Sequence, residues 1–202
     1  MPRKYCGYVL HHGTTKFNEQ GLYTGWIDVP LDAKGILDAE RAAKFLSDKH
    51  IMCVATSPLQ RAIHTAEIVV SKQTSKPEIE ECHSLFPWSI PEFWGMSKED
   101  YTKGLKPYVD NPKKRPKWGE TLTEFRKRIG DFFEENLDPD CVTLFVTHTS
   151  DIIALSDVLR GTESNEEVVG PGGLIGVYED EDGDGWCLEV LMGEEIAPDY
   201  GQ

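Results

Sequence analysis

Two histidines of this chain each follow a short apolar run. His12 comes after Tyr8-Val9-Leu10 and His11, and His148 comes after the β-branched run 142–147. Such runs are typical of buried strands, and parallel strands bring their carboxyl ends to one edge of a sheet. An imidazole at that edge can act as a nucleophile or carry a proton. A lone histidine at a strand end is more often a packed or surface residue, so its neighbours must decide the role.

Arg61 brings a positive charge to the same edge. It follows residues 56–60, near the end of another predicted strand and on the opening turn of a helix. Arginine forks onto phosphate oxygens, and a helix N-terminus favours negative charge. We therefore expect His12, His148 and Arg61 to form an anion pocket, where one histidine attacks phosphorus and the other stabilises the charged oxygens. Gly13 lets the backbone approach a ligand or adopt a positive φ.

Alternating strands and helices must position these residues. The predicted strands are Tyr5–Leu10, Ile51–Ala55, Val142–Thr147, Leu174–Tyr178 and Trp186–Met192. Apolar residues at helical spacing predict helices over 36–46, 62–70, 122–133 and 152–160, with Asp32 and Thr121 as N-caps. This order predicts an α/β fold, a three-layer α/β/α sandwich whose mostly parallel central sheet carries a late antiparallel hairpin. We expect one domain over 1–202.

The segment 71–118 is predicted to be an irregular excursion over the sheet, because it carries many of the prolines. Segments of this length are often lids or binding segments. Its aromatic residues Trp88, Phe93 and Trp94 could line a substrate entrance or pin the segment onto the sheet, and the sequence leaves both open. The basic run 113–117 favours a solvated charged loop over a site for polyanions. His64 is more consistent with a surface or packed residue than with the rim of the pocket.

Composition excludes several classes of protein. The formal net charge of -14 over 202 residues argues against nucleic acid or an anionic membrane as a partner. No signal-peptide pattern and no apolar run long enough to span a membrane occurs, so we expect a cytoplasmic protein. Five dispersed cysteines without a C-x-x-C pair indicate neither a disulfide framework nor a zinc site. The acidic stretch 179–185 lacks the glutamate of a calcium loop and favours a hairpin turn.

Several motifs, in order along most of the chain, resemble the histidine phosphatase superfamily, also called phosphoglycerate mutase-like. The amino-terminal motifs are Leu10-His11-His12-Gly13-Thr14-Thr15, Asn18, Thr24-Gly25-Trp26-Ile27-Asp28-Val29-Pro30-Leu31, Gly35, Ser57-Pro58-Leu59-Gln60-Arg61-Ala62 and Thr65-Ala66-Glu67. The later motifs are Gly119-Glu120-Thr121 with Phe125 and Arg128, and Val146-Thr147-His148. The resemblance implies the same fold that the pattern of elements predicts.

The resemblance also implies roles for single residues. His12 would become phosphohistidine, with Arg61 and His148 completing the phosphate pocket. Positions that help to hold the substrate correspond to Asn18, Thr24, Gly25, Gly13 and Thr149. A glutamate from the middle excursion would donate a proton to the leaving oxygen, and Glu92 is our candidate. Glu92 stands one residue closer to the following glycine than the family pattern requires, and a solvated loop carboxylate is the alternative.

His11 departs from the family, which has a phosphate-binding arginine immediately before the nucleophile. Loss of one preorganised donor costs roughly 3 to 4 kcal/mol, or about 100- to 1,000-fold in rate. A protonated His11 would partly replace the arginine as a substrate-binding residue, because a phosphate dianion favours imidazolium. Neighbouring side chains on a strand point to opposite faces, so we do not expect His11 and His12 to share a metal, and no metal is predicted.

These features favour a cofactor-independent phosphatase that hydrolyses a small phosphate monoester through a phosphohistidine at His12. The alternative is a catalytically weakened family member that binds a phosphorylated ligand or a protein partner, as His11 and the displaced Glu92 would suggest. A phosphoglycerate mutase is less favoured, because the segment between Arg61 and His148 lacks an extended basic insertion. The expected partner is a small phosphorylated substrate, and the sequence predicts neither its identity nor the oligomeric state.

Overall fold

The computed structural model describes residues 3–161, 168–180, 185–193 and 195–196. A six-stranded sheet runs through its centre. In chain order the strands of this sheet are β1 (Tyr5–His11), β2 (Cys53–Thr56), β3 (Ile79–Glu81), β4 (Thr143–Thr147), β6 (Leu174–Glu179) and β7 (Trp186–Met192). A separate two-stranded sheet pairs β5 (Val168–Val169) with β8 (Glu195–Ile196).

The sheet is mixed, with strand order β3-β2-β4-β1-β6-β7. The first four strands in this order are parallel to one another, so their carboxyl ends share one edge. The next strand, β6, pairs antiparallel with β1, and β7 pairs antiparallel with β6. The predicted α/β fold, with a mostly parallel sheet and a late antiparallel hairpin, is thus confirmed. Most of the predicted acidic hairpin turn, 181–184, lies outside the described residues.

Six α-helices connect the strands within the described part of the chain. They are α1 (Lys16–Glu19), α2 (Ala33–Leu46), α3 (Gln60–Lys72), α4 (Lys98–Val109), α5 (Leu122–Asn136) and α6 (Thr149–Arg160). Helix α2 packs beside α3, and α5 packs beside α6. No helix among the described residues is both long and apolar enough to cross a membrane.

Alternate residues of the central strands enter two separate apolar cores. Val9 and Phe145 lie in one core with Phe125, Ile129 and Ile152 of α5 and α6. Their strand neighbours Tyr8, Leu10, Leu144 and Val146 lie in the other core, together with buried alanines of α2 and α3. This alternation is the period-two pattern of strands buried on both faces. It produces the three layers, with α2 and α3 on one face and α5 and α6 on the other.

Two predicted helix starts are confirmed in atomic detail. The Asp32 side chain accepts a hydrogen bond from the Gly35 amide at 2.8 Å, capping α2. At α5 the Thr121 hydroxyl accepts from the Glu124 amide at 3.1 Å, and the Glu124 carboxylate accepts from the Thr121 amide at 2.9 Å. Each cap satisfies amides that would otherwise lack a partner within the helix.

The segment 71–118 is more regular than predicted. It contains the edge strand β3, two short 3-10 turns at His83–Leu85 and Pro91–Phe93, and the twelve-residue helix α4. Ser97 caps α4 by accepting from the Asp100 amide at 3.2 Å. Gly104 and Pro107 lie inside this helix and obscured it in the sequence, because both residues disfavour helix interiors. The prediction of an irregular excursion was therefore wrong for this part.

Candidate active site

A small cavity of about 210 Å³ lies at the carboxyl edge of the parallel strands. Residues from the ends of β1 and β4 meet there with residues from α3, from the loop after α1 and from segment 71–118. The polar residues that line it are His11, His12, Asn18, Thr24, Arg61, His148, Thr149 and Ser150. Its apolar and backbone lining comprises Leu22, Tyr23, Gly25, Pro87, Trp88, Tyr101, Leu105 and Ile153.

His12 is the first residue after β1, and its ring is fixed by the backbone. Its amide donates to the Thr147 carbonyl of neighbouring β4 at 3.0 Å. Ring atom Nδ1 lies 2.8 Å from the carbonyl oxygen of Gly13. Because a carbonyl oxygen can only accept, Nδ1 carries the proton and Nε2 keeps a lone pair. An imidazole in this tautomer presents a nucleophilic nitrogen at Nε2.

His148 follows β4 and faces His12 across the cavity. The two rings meet edge to face, with centroids 5.0 Å apart. Nε2 of His148 lies 2.8 Å from the Ser57 hydroxyl, and Nδ1 lies 3.4 Å from the Arg61 guanidinium. Arginine always donates, so Nδ1 accepts and Nε2 donates to Ser57 in the neutral ring. Ser57 is the first residue after β2. It positions the His148 ring, a role that the predicted strand pattern did not indicate.

Arg61 lies in the first turn of α3 and is buried, with 2% of its surface exposed. Its Nη1 donates to the Ile27 carbonyl at 3.0 Å and its Nη2 to the Gly25 carbonyl at 2.9 Å. Its Nε donates to Nε2 of His12 at 3.1 Å. The segment containing Thr24 and Gly25 thus orients the guanidinium from behind, and the guanidinium covers the nucleophilic nitrogen.

The three imidazoles that line the cavity, those of His11, His12 and His148, are neutral at neutral pH. Burial, with the nearby Arg61 charge, lowers the pKa of His148 well below its usual value. Burial, then His11, then Arg61 lower the pKa of His12 well below its usual value too. Burial lowers the pKa of Arg61 to about 10, so the guanidinium stays charged at neutral pH. Arg61 is therefore the single formal positive charge among the lining residues that the structure describes.

The rings of His11 and His12 lie side by side, with centroids 4.4 Å apart, and both line the cavity. The prediction that these adjacent side chains point to opposite faces is wrong. The reason is that β1 ends at His11, so His12 no longer follows the alternation of a strand. Among the described residues no group of three or more histidine, cysteine, aspartate or glutamate side chains is arranged to hold a metal ion.

His11 has no hydrogen to offer the cavity in its neutral form. Its Nδ1 lies 2.8 Å from the carbonyl oxygen of His12 and must donate there. Its Nε2, 2.7 Å from the Thr149 hydroxyl, therefore accepts from that hydroxyl. Burial lowers the pKa of His11 to about 4, so the neutral form predominates at neutral pH. His11 thus does not replace the family's arginine as a charged donor in this structure.

Two glycines let residues 12–15, which we call the nucleophile loop, approach α2 closely. A Cβ on Gly13 would lie 2.2 Å from the Gly35 carbonyl oxygen, and a Cβ on Gly35 would lie 2.0 Å from the Thr14 carbonyl oxygen. Gly13 does not have a positive φ, so the contact with Gly35 is what requires glycine there. The Gly13 amide donates to Thr65 on α3 at 3.1 Å. Thr65 is thus a second positioning residue, close to Arg61 on the same helix.

Of the predicted substrate-binding residues, Asn18, Thr24, Gly25 and Thr149 line the cavity with His11, whereas Gly13 is not among the lining residues. The side-chain oxygen of Asn18 accepts from the Thr15 amide at 2.9 Å and from the Thr15 hydroxyl at 2.8 Å. The amide nitrogen is then the group that Asn18 can offer to a ligand.

Glu92, the candidate proton donor, is not brought to the cavity. It is exposed on the 3-10 turn Pro91–Phe93 and is absent from the cavity lining. His64 is likewise exposed on α3, outside the lining. In the basic run, Lys114 lies over the Tyr108 ring and Arg115 pairs with Glu124, so this segment contacts α4 and α5.

The aromatic residues of segment 71–118 divide between the two roles that the sequence left open. Trp88 lines the cavity, and its indole donates to the Glu120 carbonyl at 3.2 Å. Trp94 instead donates to the Ser89 hydroxyl at 2.6 Å, while Phe93 packs edge to face against Tyr108. Trp88 therefore forms the site, and the other two hold the segment in place.

Fold and site together define an α/β protein of the phosphoglycerate mutase-like class. The sequence model of the histidine phosphatase superfamily (branch 1) matches residues 8–167. The chain therefore belongs to the histidine phosphatase superfamily, as its motifs predicted.

Curated relatives carry the names of mutases. A 2,3-bisphosphoglycerate-dependent phosphoglycerate mutase of Cytophaga hutchinsonii is 29% identical over 156 residues, which cover 73% of each chain. The enzyme of the same name from Chlamydia felis is 41% identical over 68 residues, which are 34% of this chain and 30% of the relative's length. These matches support the family and leave the reaction open.

Solved structures with the same fold include both phosphatases and mutases. The mycobacterial glucosyl-3-phosphoglycerate phosphatase in complex with VO3 is 20% identical, with a TM-score of 0.77 over 93% of this chain and 98% of that chain. The phosphoglycerate mutase of Bacillus anthracis is 22% identical, with a TM-score of 0.77 over 92% and 91% of the two chains. At these identities the likeness establishes the fold.

Proposed function

We propose that this protein is a cofactor-independent phosphatase that hydrolyses a small phosphate monoester through a phosphohistidine at His12. One observation carries the proposal. Nε2 of His12 is an unprotonated nitrogen inside a small cavity, and it lies 3.1 Å from Arg61, the charged group of the lining. A nucleophile beside a guanidinium is what attack on a phosphate monoester requires.

In the first step Nε2 of His12 attacks phosphorus and the bond from phosphorus to the ester oxygen breaks. Arg61 must release Nε2 and turn its donors to the phosphoryl oxygens, where developing charge is stabilised. In the second step water attacks phosphorus of the phosphohistidine, the bond from phosphorus to Nε2 breaks, and inorganic phosphate leaves. Nδ1 of His12 keeps its proton and donates it in a hydrogen bond to the Gly13 carbonyl in both steps, which keeps the ring in the reactive tautomer.

The leaving oxygen needs a proton in the first step, and Glu92 is too exposed to give it in this conformation. We expect esters of acidic alcohols, such as aryl phosphates, to need this proton least, because their leaving groups are stable as anions. They are therefore the substrates on which an activity is most readily detected.

We also propose a cytoplasmic location, since the five cysteines are free and a reducing compartment suits free thiols.

The test is release of phosphate from 4-nitrophenyl phosphate and from a panel of metabolite esters, without added metal. We expect release by the unmodified protein, an acid-labile and base-stable phosphoenzyme after rapid quench, and loss of both in His12→Ala. His64→Ala is the matched control, because it replaces an exposed histidine of α3 and should leave turnover unchanged. Release that survives His12→Ala, or that a chelator abolishes, would refute the mechanism.

A second candidate is a weakened family member that binds a phosphorylated ligand without turnover. Its support is that His11 offers no hydrogen to the cavity and that Glu92 lies outside it. This candidate predicts binding of inorganic phosphate between His12, Arg61 and His148, with no phosphoenzyme from any ester of the panel.

A further inference from the structure

Apolar and aromatic side chains form a large part of the cavity lining. We call them together the apolar wall: Leu22, Tyr23, Pro87, Trp88, Tyr101, Leu105 and Ile153. Among the described residues, neither lysine, aspartate nor glutamate occurs in the lining, and its single charged member is Arg61. A group that occupies the cavity next to the phosphate thus meets carbon and ring surfaces and uncharged polar groups.

The apolar wall is held in place by hydrogen bonds and ring contacts. The Tyr23 hydroxyl donates to the Trp88 carbonyl at 3.1 Å, and the Trp88 amide donates to the Ser150 hydroxyl at 3.1 Å. The rings of Tyr23 and Tyr101 pack with centroids 4.7 Å apart. Burial raises the pKa of Tyr23 to about 12, so its phenol is neutral at physiological pH. The wall therefore offers neither a charge nor a mobile side chain that could bring one.

We infer that the apolar wall selects phosphate monoesters whose alcohol is uncharged and ring-bearing or otherwise apolar, and excludes esters whose alcohol carries a carboxylate, an ammonium or a second phosphate. The inference rests on the proposed function, since it concerns the leaving group of the same site. A buried charge without a partner costs several kcal/mol. Among the described residues the lining provides no permanent charge besides Arg61, and Arg61 and the imidazoles face the phosphate itself. Phosphoglycerates, whose carboxylate needs a second cation, are excluded on this ground.

The decisive experiment measures binding, so that it does not depend on turnover. Phenylphosphonate and 4-carboxyphenylphosphonate are non-hydrolysable and differ by one carboxylate. We expect the carboxylated compound to bind at least about 30-fold more weakly by calorimetry. Equal or tighter binding of the carboxylated compound would overturn the inference. If neither the protein nor its variants release phosphate from any ester, the proposed function fails, and the binding ratio still decides the ligand class.

Two variants of helix α4 test whether the apolar wall is what binds the uncharged leaving group. Tyr101→Ala removes a ring from the lining and should weaken phenylphosphonate binding about tenfold while leaving inorganic phosphate unaffected. Tyr108→Ala removes a ring from the same helix outside the lining and should leave both affinities unchanged. An unchanged affinity of Tyr101→Ala for phenylphosphonate would show that the wall does not contact the leaving group.

A second inference concerns the opposite edge of the sheet and is independent of the active site. Cys53 begins β2, and Cys141 lies just before β4, the strand paired with β2. Their Sγ atoms are 3.1 Å apart, and Cys53 is exposed. Two thiols at this separation need only a small side-chain rotation to reach bonding distance.

We propose that Cys53 and Cys141 are a disulfide-forming pair. The sulfur–sulfur bond forms as both thiols lose their hydrogens, and the two electrons and two protons pass to an added disulfide oxidant such as oxidised glutathione, which leaves as two thiols. The bond would close a loop between residues 88 positions apart and tie two central strands together. Such a crosslink stabilises mainly by restricting the unfolded chain.

Incubation with oxidised glutathione, followed by mass spectrometry of the intact chain and of its peptides, tests this pair. We expect loss of two hydrogen masses, a crosslinked peptide containing both cysteines, and a Tm about 5 to 10 °C higher. Cys53→Ser should abolish all three changes, whereas Cys187→Ser, the matched control, should retain them. A mixed disulfide with glutathione at Cys53 in place of the crosslink would contradict the proposal.

Discussion

At the scale of single residues, the state of His11 explains how this site differs from its family. The ring donates to the His12 carbonyl and accepts from Thr149, so both of its nitrogens are engaged inside the protein. A guanidinium in the same place would keep its charge and have donors to spare. The described lining thus holds one fixed positive charge where the family pattern provides two.

We predict that His11→Arg increases turnover of an aryl phosphate by about 10- to 100-fold. The reason is that a permanent donor would face the phosphoryl oxygens, and one such donor is worth about 100- to 1,000-fold where it is preorganised. Steady-state kcat and KM report the change. His11→Gln, which is neutral and of similar length, is the control and should not increase kcat. A fall in kcat with arginine would mean that His11 itself has an adapted role.

Anion binding should take up protons. Burial lowers the pKa values of His11, His12 and His148, and a bound dianion would raise them by favouring imidazolium. The complex therefore holds more protons than the free protein, and affinity must rise as pH falls.

Sulfate is the suitable probe, because it remains a dianion across this range and any proton must go to the protein. We predict that its Kd decreases by up to about tenfold per unit from pH 8 to pH 6. Calorimetry in buffers of different ionisation enthalpy counts the protons. His11→Arg should show a smaller slope, and an affinity independent of pH would contradict proton uptake by the imidazoles on anion binding.

At the scale of elements, the contact between the nucleophile loop and α2 depends on two glycines. We predict that Gly35→Ala lowers both Tm and turnover, because its Cβ would lie 2.0 Å from the Thr14 carbonyl oxygen and must displace the loop that holds His12. Gly130→Ala is the matched control. Its Cβ on α5 would meet Val158 methyl groups at 3.4 Å, and we expect it to raise stability by about 0.5 to 1 kcal/mol.

Thermal unfolding and steady-state kinetics distinguish the two glycine variants. An unaltered Tm in Gly35→Ala would show that the loop can move away from α2 without cost.

The elements that the sequence predicted are those whose local signals agree. The strands at β1 and β4 have uninterrupted apolar runs, and α2 and α5 have capping residues at their first turns. Helix α4 escaped prediction because Gly104 and Pro107 contradict the apolar spacing of Tyr101, Leu105 and Tyr108. Its docking depends on contacts distant in sequence, such as that of Phe93 with Gly104, which no local pattern contains.

The same division applies to the site. His12, Arg61 and His148 follow from strand ends and motifs, whereas Ser57 and Thr65 depend on side-chain contacts between elements. Glu92 was chosen for its position in the sequence, and its exposure results from the path of the surrounding turn.

At the scale of the whole molecule, the buried imidazoles make folding sensitive to acid. Their folded pKa values lie below the unfolded value of about 6.5, so below that pH the unfolded chain binds more protons and stability falls. Buried Asp151 acts in the opposite direction, because burial raises its pKa to about 7. Three histidines against one aspartate leave a net loss of stability as pH falls from 6.5 towards 4.

We predict that Tm decreases by several degrees between pH 7 and pH 5.5, as measured by calorimetry at constant ionic strength. His148→Asn should weaken this dependence by removing one buried imidazole, whereas His64→Asn, at an exposed position, should not change it. A Tm that stays constant or increases over this interval would contradict the predicted sign.

The hydrogen bond from Arg61 to Nε2 of His12 also lowers the reactivity of this histidine towards electrophilic reagents. The lone pair that would attack phosphorus is occupied until an anion draws the guanidinium away. Without added anion, acylating reagents such as diethyl pyrocarbonate should therefore modify His12 slowly and exposed His64 much faster. His12 is thus shielded from electrophiles by the same side chain that, in the proposed mechanism, receives the phosphate.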